Sequence, residues 1–256
     1  MKKITVAIAG NNNHDMMKFS IETTLKNLPE WEDVVVLSDR PVVDYGQFVQ
    51  LPDNFGKDEY NQLCLKGLYQ HIKTDFVLVI QHDGMAVNRE HWNNDFYNYD
   101  YIGPAWPDRF HWIDPTERVG NGGFSFRSLK LLAALQDPAI VASPGPRTSN
   151  EDAVICQGFS GYLKGKYAID YAPVALADQF GHEWNNFTGN TFGFHGAFNS
   201  PLYFNEEDTM RFLDSMPKPN HWYNDQLHTF VQLCLAKNYL GALTKLENIL
   251  YKKEQQ

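Results

Sequence analysis

Phe76-Val77-Leu78-Val79-Ile80-Gln81-His82-Asp83-Gly84 sets five consecutive apolar residues, four of them β-branched or aromatic, directly before a polar turn. A run of this kind reads as a strand buried on both faces, the sort found in a parallel sheet covered by helices. Towards the N-terminus, Ile4–Ala9, broken only by Thr5, and the shorter Val34–Leu37 are runs of similar character. Between these runs lie segments of helical period. Asp15 to Leu28 carries Met17, Phe19, Ile21, Leu25 and Leu28 and is closed by Pro29; Asp58 to Ile72 carries Leu63, Leu65, Leu68, Tyr69 and Ile72. Strand, helix, strand, helix, strand within eighty residues predicts βαβ units, an α/β fold and a mostly parallel central sheet flanked by helices.

Beyond residue 85 the pattern changes. Trp106 to Arg118 is rich in Pro, Asp and aromatics without a period and reads as an ordered loop. Gly122–Phe126 reads as a strand, and Ser128 caps a helix over Leu129–Leu135. Pro138 to Asn150 is a Pro/Ser/Gly loop, Glu151 to Leu163 a helix, Ala168–Leu176 a strand, and 178–205 an irregular aromatic stretch. Two helices are expected between His221 and Lys253, parted near Asn238–Gly241. Length favours one domain over 1–256, with a first part over 1–84, a second over 85–205 and C-terminal helices over 206–256.

Composition narrows the function. The 256 residues carry a formal charge of −9, which argues against a nucleic-acid partner, because phosphate neutralisation needs a basic face. Cys64, Cys156 and Cys234 are odd in number and lack C-x-x-C spacing, so buried free thiols are expected. Met1-Lys2-Lys3 with Ala7-Ile8-Ala9 imitates a signal peptide, but the apolar run is short and enters Gly10-Asn11-Asn12-Asn13, so a first strand is the better reading. No run approaches the ~20 apolar residues of a transmembrane segment. The aromatic content of 14% exceeds what a core requires, and the surplus, including Trp92, Trp106, Trp112, Trp184 and Trp222, falls after residue 90. Flat rings of this kind suit sugars and nucleobases as well as a bulky core.

Four segments carry groups with chemical potential. Asp83 follows the most apolar strand, where ligands of open α/β sheets bind, although Asp-Gly is also a common plain turn. Val119-Gly120-Asn121-Gly122-Gly123-Phe124-Ser125-Phe126-Arg127 allows close backbone approach to a ligand and matches neither a dinucleotide nor an ATP fingerprint. Asn150-Glu151-Asp152 opens a helix, where a carboxylate is either a cap or a general base. Phe180-Gly181-His182-Glu183 and Phe192-Gly193-Phe194-His195-Gly196 place histidines among glycines and aromatics, and no zinc spacing links the chain's histidines.

Taken in order, Gln81-His82-Asp83, Asp100-Tyr101-Ile102-Gly103, the G-N-G-G-F-S-x-R-S stretch from Gly120 to Ser128, Glu151-Asp152 and the Gly193-x-His195-Gly196 element resemble the GT-A glycosyltransferases. They are most similar to a bacterial family with a Q-x-D element and a G-N-G-G-F-S signature. The resemblance spans Ile4 to Asn199 and implies a Rossmann-like nucleotide-diphospho-sugar transferase fold. It further implies a hexosyltransferase-like, inverting enzyme that moves a sugar from a nucleotide-sugar donor to a glycan or lipid-linked glycan acceptor, in the synthesis of bacterial surface polysaccharide or lipopolysaccharide. A cytoplasmic protein, at most peripheral at the inner membrane face, is expected.

The same resemblance implies residue roles. The superfamily's D-x-D element binds a divalent metal and the donor diphosphate; here Gln81-His82-Asp83 keeps only the second Asp. Mn²⁺ or Mg²⁺ would then be held by Asp83 with His195. Asp152 is the implied base and Glu151 its rival. Donor and acceptor contacts fall to Asn11, Gln81, His82, Asp83, Trp106, Asn121, Gly122, Gly123, Ser125 and Glu183. Two other readings of these groups are a non-catalytic nucleotide-sugar or glycan-binding protein of the same fold, and a metal-dependent hydrolase using Asp83, Asp152 and His195.

Overall fold

The computed structural model describes residues 2–184, 190–215 and 224–251. His221, Trp222, Lys252 and Lys253, named above, lie outside them. The chain divides into two compact units, Met1–His195 and Gly196–Gln256.

In the first unit, β1 (Ile4–Ala9), β2 (Asp33–Ser38), β3 (Gln47–Gln50) and β4 (Phe76–Ile80) form the parallel part of a six-stranded sheet. Its order is completed by β6 (Tyr101–Ile102) and β7 (Phe124–Ser128), giving β3-β2-β1-β4-β7-β6. The α/β architecture and the three strands expected from their apolar runs are those observed. β1 pairs in parallel with β2 on one side and β4 on the other, which is why Ile4, Val6, Ala7 and Ile8 have no polar alternation. α1 (His14–Asn27) crosses over from β1 and buries Met16, Met17, Ser20, Ile21 and Thr24 at helical spacing. α2 (Lys57–Gln62) runs on through a π-helical turn at Leu63–Gly67 and a 3-10 turn at Leu68–Gln70, so the expected single amphipathic helix is one helical run of changing pitch.

A smaller sheet forms from β5 (Gly84–Ala86), β8 (Gly181–His182) and β9 (Gly193–His195), in the order β5-β9-β8. Between β7 and β8 the chain makes α3 (Leu129–Ala134), α4 (Glu151–Ala153), a π-helical turn at Val154–Gly158, α5 (Ser160–Tyr167) and α6 (Val174–Phe180). Ser128 caps α3, its hydroxyl accepting from Leu131 N at 3.0 Å, as its position suggested.

Four expectations need correction. Ala168–Leu176 is not a strand: Ala168 turns left-handed at φ 51°, Tyr171 makes a single bridge to Tyr101, and Pro173 opens α6. Proline's fixed φ favours a helix start over a strand interior. The strand predicted over Gly122–Phe126 begins at Phe124 and runs to Ser128, because Asn121 (φ 60°) turns the chain before it. Residues 178–205, read as irregular, contain β8 and β9. β3 was not anticipated, since Gln47-Phe48-Val49-Gln50 is a half-polar edge strand without an apolar run.

Much of the aromatic surplus is core. Phe76 stacks on Phe126 at 4.7 Å, Phe124 on Phe180 at 4.7 Å, and Trp92 meets Phe96, Tyr97, Phe126 and Phe192 edge-on. Cys64, Cys156 and Cys234 are buried free thiols. No helix among the described residues is long and apolar enough to cross a membrane.

The second unit holds α7 (Ser200–Tyr203), α8 (Glu206–Ser215), α9 (Asn224–Lys237) and α10 (Leu240–Tyr251). Asn238, at φ 58°, makes the expected break between the last two. Glu206 accepts from Gly241 N and Ala242 N, which places a carboxylate at the N-terminus of α10.

Candidate functional site

Strand pairing brings five distant segments to one place. Because Ile80 of β4 pairs antiparallel with Phe124 of β7, the Gly120–Gly123 turn lies beside Gln81-His82-Asp83 at the carboxyl end of β4. Gly84 of β5 pairs with His195 of β9, and His182 of β8 pairs with Phe194, so Glu183 and His195 reach the same point. α1 secures the β4–β5 turn from behind: the Ser20 hydroxyl is shared between Gln81 O (2.9 Å) and Gly84 O (2.8 Å), and Thr24 Oγ1 accepts from Ala86 N at 3.2 Å. Ser20 and Thr24 were not picked out from the sequence, where they are two small polar positions on the buried face of an amphipathic helix.

His195 is the centre of the polar cluster. Its Nδ1 stands 2.9 Å from Glu183 Oε1, its Nε2 3.1 Å from Gln81 Oε1 and 3.5 Å from Asp83 Oδ1. Burial disfavours the charged ring, but the Asp83 and Glu183 carboxylates outweigh it and raise the His195 pKa well above its ordinary value. Burial raises the Glu183 carboxyl, with His195 pulling the other way. Asn121 donates its amide to Glu183 Oε2, and its Oδ1 accepts from Gly123 N at 3.2 Å. His82 lies outside this core of contacts, its Nδ1 3.9 Å from Asp83 Oδ1.

The glycines are there for room. A Cβ on Gly123 would stand 2.5 Å from Cδ2 and Cε1 of the His195 ring, and one on Gly122 would stand 2.7 Å from the Glu151 carboxyl carbon. No side chain larger than hydrogen leaves these neighbours in place.

Glu151 and Asp152 part company at the start of α4, as successive helical residues about 100° apart must. Glu151, 3% exposed, is turned inward to the fully buried Arg127, whose Nη2 donates to Oε1 and Oε2 at 3.1 and 3.2 Å. Burial pushes the Glu151 carboxyl up to about 7, against the pull of Arg127. Asp152 is half-buried; its Oδ2 accepts from Gly122 N at 3.1 Å and its Oδ1 from Ala153 N at 2.7 Å. Ser125 is enclosed, donating to Gly122 O at 3.0 Å and accepting from Arg127 Nε at 2.9 Å. Arg127 was a motif letter in the sequence, and only the structure shows that it joins the glycine turn to α4.

Gln81, Asp83, Asn121, Gly122, Gly123, Glu183, His195 and Asp152 are therefore brought together. Asn11 and Trp106 make none of the polar contacts described for the cluster. Asn11 follows β1 and donates to Pro52 O at 2.7 Å. Trp106, 4% exposed, packs against Gly120 and against Trp112 at 5.2 Å.

Among the described residues, no three His, Cys, Asp or Glu side chains are grouped to hold a metal ion. The atoms that converge are His195 Nε2, Asp83 Oδ1 and the neutral oxygen of Gln81. Ligands about 2.1 Å from one octahedral ion stand about 3 Å apart, close to the 3.1 and 3.5 Å separations seen here. Glu183 on Nδ1 supplies an outer carboxylate, and Nε2 would give up the proton it holds towards Gln81 and Asp83 on taking a metal. The set fits a loosely held divalent cation whose remaining ligands come from elsewhere.

Solved structures similar to this chain include two enzymes. The galactosyltransferase LgtC, solved with donor and acceptor sugar analogs, is 10% identical, with 88% of this chain and 99% of that chain covered and a TM-score of 0.46. Glucosyl-3-phosphoglycerate synthase from Mycobacterium tuberculosis, solved with Mn²⁺, UDP and phosphoglyceric acid, is 13% identical, with 62% of this chain covered and a TM-score of 0.39. The match spans 65% of that synthase. No curated protein matches the sequence. A family model described as a protein of unknown function, DUF5672, matches residues 46–195, more than half of the chain and every segment of the polar cluster. By that match the chain is a member of the DUF5672 family.

Proposed function

We propose that this protein is a glycosyltransferase that takes a sugar from a nucleotide-sugar donor and that the cluster around His195 holds the donor diphosphate. The observation that carries the reading is the convergence of Asp83, His195, Glu183 and Asp152 on the Gly122–Gly123 turn at the carboxyl end of β4. Open α/β sheets bind their ligands at that edge, and the motif order resembles that of GT-A transferases.

Each residue then has a chemical task. Asp83, His195 and Gln81 would hold Mn²⁺ or Mg²⁺, which when bound supplies positive charge to the departing diphosphate. Glu183 and Asn121 orient the imidazole. Asp152 is the group placed to accept a proton, because Glu151 is committed to Arg127. The acceptor hydroxyl gives its proton to Asp152, its oxygen forms the new bond to the anomeric carbon, and the bond from that carbon to the diphosphate oxygen breaks. The bond between Gly122 N and Asp152 Oδ2 fixes the carboxylate beside the glycine turn.

Thermal melting of the whole chain with UDP-, GDP-, dTDP- and CDP-sugars, each with and without Mn²⁺, tests this. A donor at 100 times its Kd adds about 2.7 kcal/mol, seen as an upward melting shift that Mn²⁺ enlarges and Asp83→Ala abolishes. No shift with any nucleotide-sugar, or an equal one in Asp83→Ala, rejects the donor site. Release of free sugar with no acceptor requirement would favour the hydrolase reading instead.

A further inference from the structure

We propose that the half-exposed aromatic shelf of Phe110, Trp112 and Trp184 is the acceptor subsite and that it receives the ring face of a saccharide. The assignment rests on the transferase reading for the word acceptor; the saccharide site itself stands on the shelf.

Phe110 and Trp112 lie nearly parallel, centroids 5.9 Å apart at 19°, and Trp184 meets Phe110 edge-on at 5.7 Å. The Arg109 guanidinium is 5.3 Å from the centre of the Trp184 ring. The loop has its own buried anchors in Trp106 and Ile113, 4% and 6% exposed, while Phe110 and Trp112 pack against the same core only in part.

Both ends of the shelf are joined to the reaction site. At one end Trp112 contacts Trp106, which fills the space left by Gly120. At the other, Trp184 directly follows Glu183, whose carboxylate accepts from Asn121. The loop is also pinned to the helical run that begins with Asp152: Gln157, five residues on and roughly 7 Å along a helix axis, accepts from Asp114 N at 2.8 Å and donates to Glu117 O. Arg147 donates to Trp112 O, and Arg118 Nε to Trp106 O at 3.0 Å. A loop of thirteen residues without regular structure is thus tied down at several points, with part of the surface of Phe110 and Trp112 left accessible.

Partly accessible rings held in this way suit a ligand with one apolar face and a polar rim. A pyranose presents its axial C–H bonds on a face and its hydroxyls around the edge. A lipid chain would need a deeper apolar groove, and a nucleobase is expected at the sheet edge with the diphosphate.

Full-length protein is applied to an array of immobilised bacterial and plant oligosaccharides. Wild type is expected to bind a defined subset, and Trp112→Ala and Trp184→Leu to lose about tenfold in apparent affinity, with Trp112→Phe restoring most of it. Melting curves show whether each variant is folded. The nucleotide-sugar melting shift should be unchanged in Trp112→Ala. Absence of array binding by wild type, or equal binding by the folded alanine variant, overturns the proposal. Loss of array binding in Trp112→Ala, with no nucleotide-sugar shift even in wild type, upholds the saccharide shelf and rejects the transferase.

Discussion

Gly123→Ala asks whether His195 is where the chemistry occurs. A methyl carbon at this position would lie 2.5 Å from Cδ2 and Cε1 of the His195 ring, whereas carbon atoms rest about 3.5–4.0 Å apart. Gly123 needs no left-handed backbone, so alanine fits the chain and the ring must yield, by roughly 1 Å. The bonds of His195 to Glu183 and Gln81 are 2.9 and 3.1 Å long, and a retreat of that size stretches at least one beyond hydrogen-bond range. Overpacking costs about 1–3 kcal/mol in stability, and a misplacement of 1 Å at a reacting centre costs about 10²-fold in rate. Gly161→Ala is the matched control: its Cβ would meet nothing within 4 Å on α5, and it should gain about 1 kcal/mol with turnover unchanged. Steady-state transfer with the donor found by melting, together with the Mn²⁺ dependence of donor binding, separates the two variants. If folded Gly123→Ala transfers sugar within threefold of wild type and keeps its Mn²⁺ dependence, His195 is not part of the reaction site.

Asp152→Asn should bind donor normally and lose about 10²–10⁴-fold in turnover, as removal of a general base does; near-normal turnover would end its assignment. Arg127→Met leaves the Glu151 carboxyl buried without its counter-charge and should cost about 3–5 kcal/mol in urea unfolding above pH 7. A loss under about 1 kcal/mol would mean that the pair is hydrated. Because the folded Glu151 pKa is raised to about 7, its contribution to stability is full below about pH 4.5 and is lost as pH rises towards 7. Urea midpoints should therefore fall less between pH 5 and pH 8 in Glu151→Gln than in wild type, and identical slopes would contradict the burial of this carboxyl.

The parallel core was legible because Ile4–Ala9, Val34–Leu37 and Phe76–Ile80 are buried on both faces and advertise it as apolar runs, interrupted only by Thr5. β3 was not, since an edge strand with one packed face needs few apolar residues. The failure at Ala168–Leu176 has a local cause: apolar side chains there pack as a bridge and a helix start, and Pro173 was the available signal. At the site, Asp83, Asn121, Gly122, Gly123 and His195 could be singled out because glycines and polar turn residues interrupt the apolar pattern. Of their partners, Gln81 and Glu183 came with the motifs, and others were hidden. Ser20 looks like any small residue on a helix face, and the inward turn of Glu151 depends on Arg127, which lies 24 positions away.

The pairing of Gly84 with His195 also bears on how the protein acquires its site. These residues are 111 positions apart, and closing so long a segment is entropically slow compared with zipping β1, α1 and β2. The sheet therefore has every reason to form before β9 docks on β5. A nascent or refolding chain would pass through a stage with its parallel core assembled and Asp83 still without its histidine. Hydrogen exchange should show the same order, with β1 and β4 amides opening only with the whole unit and those of β5 and β9 exchanging through a lesser opening. The polar cluster around His195 is then completed after the parallel core, separable in time from the formation of that core.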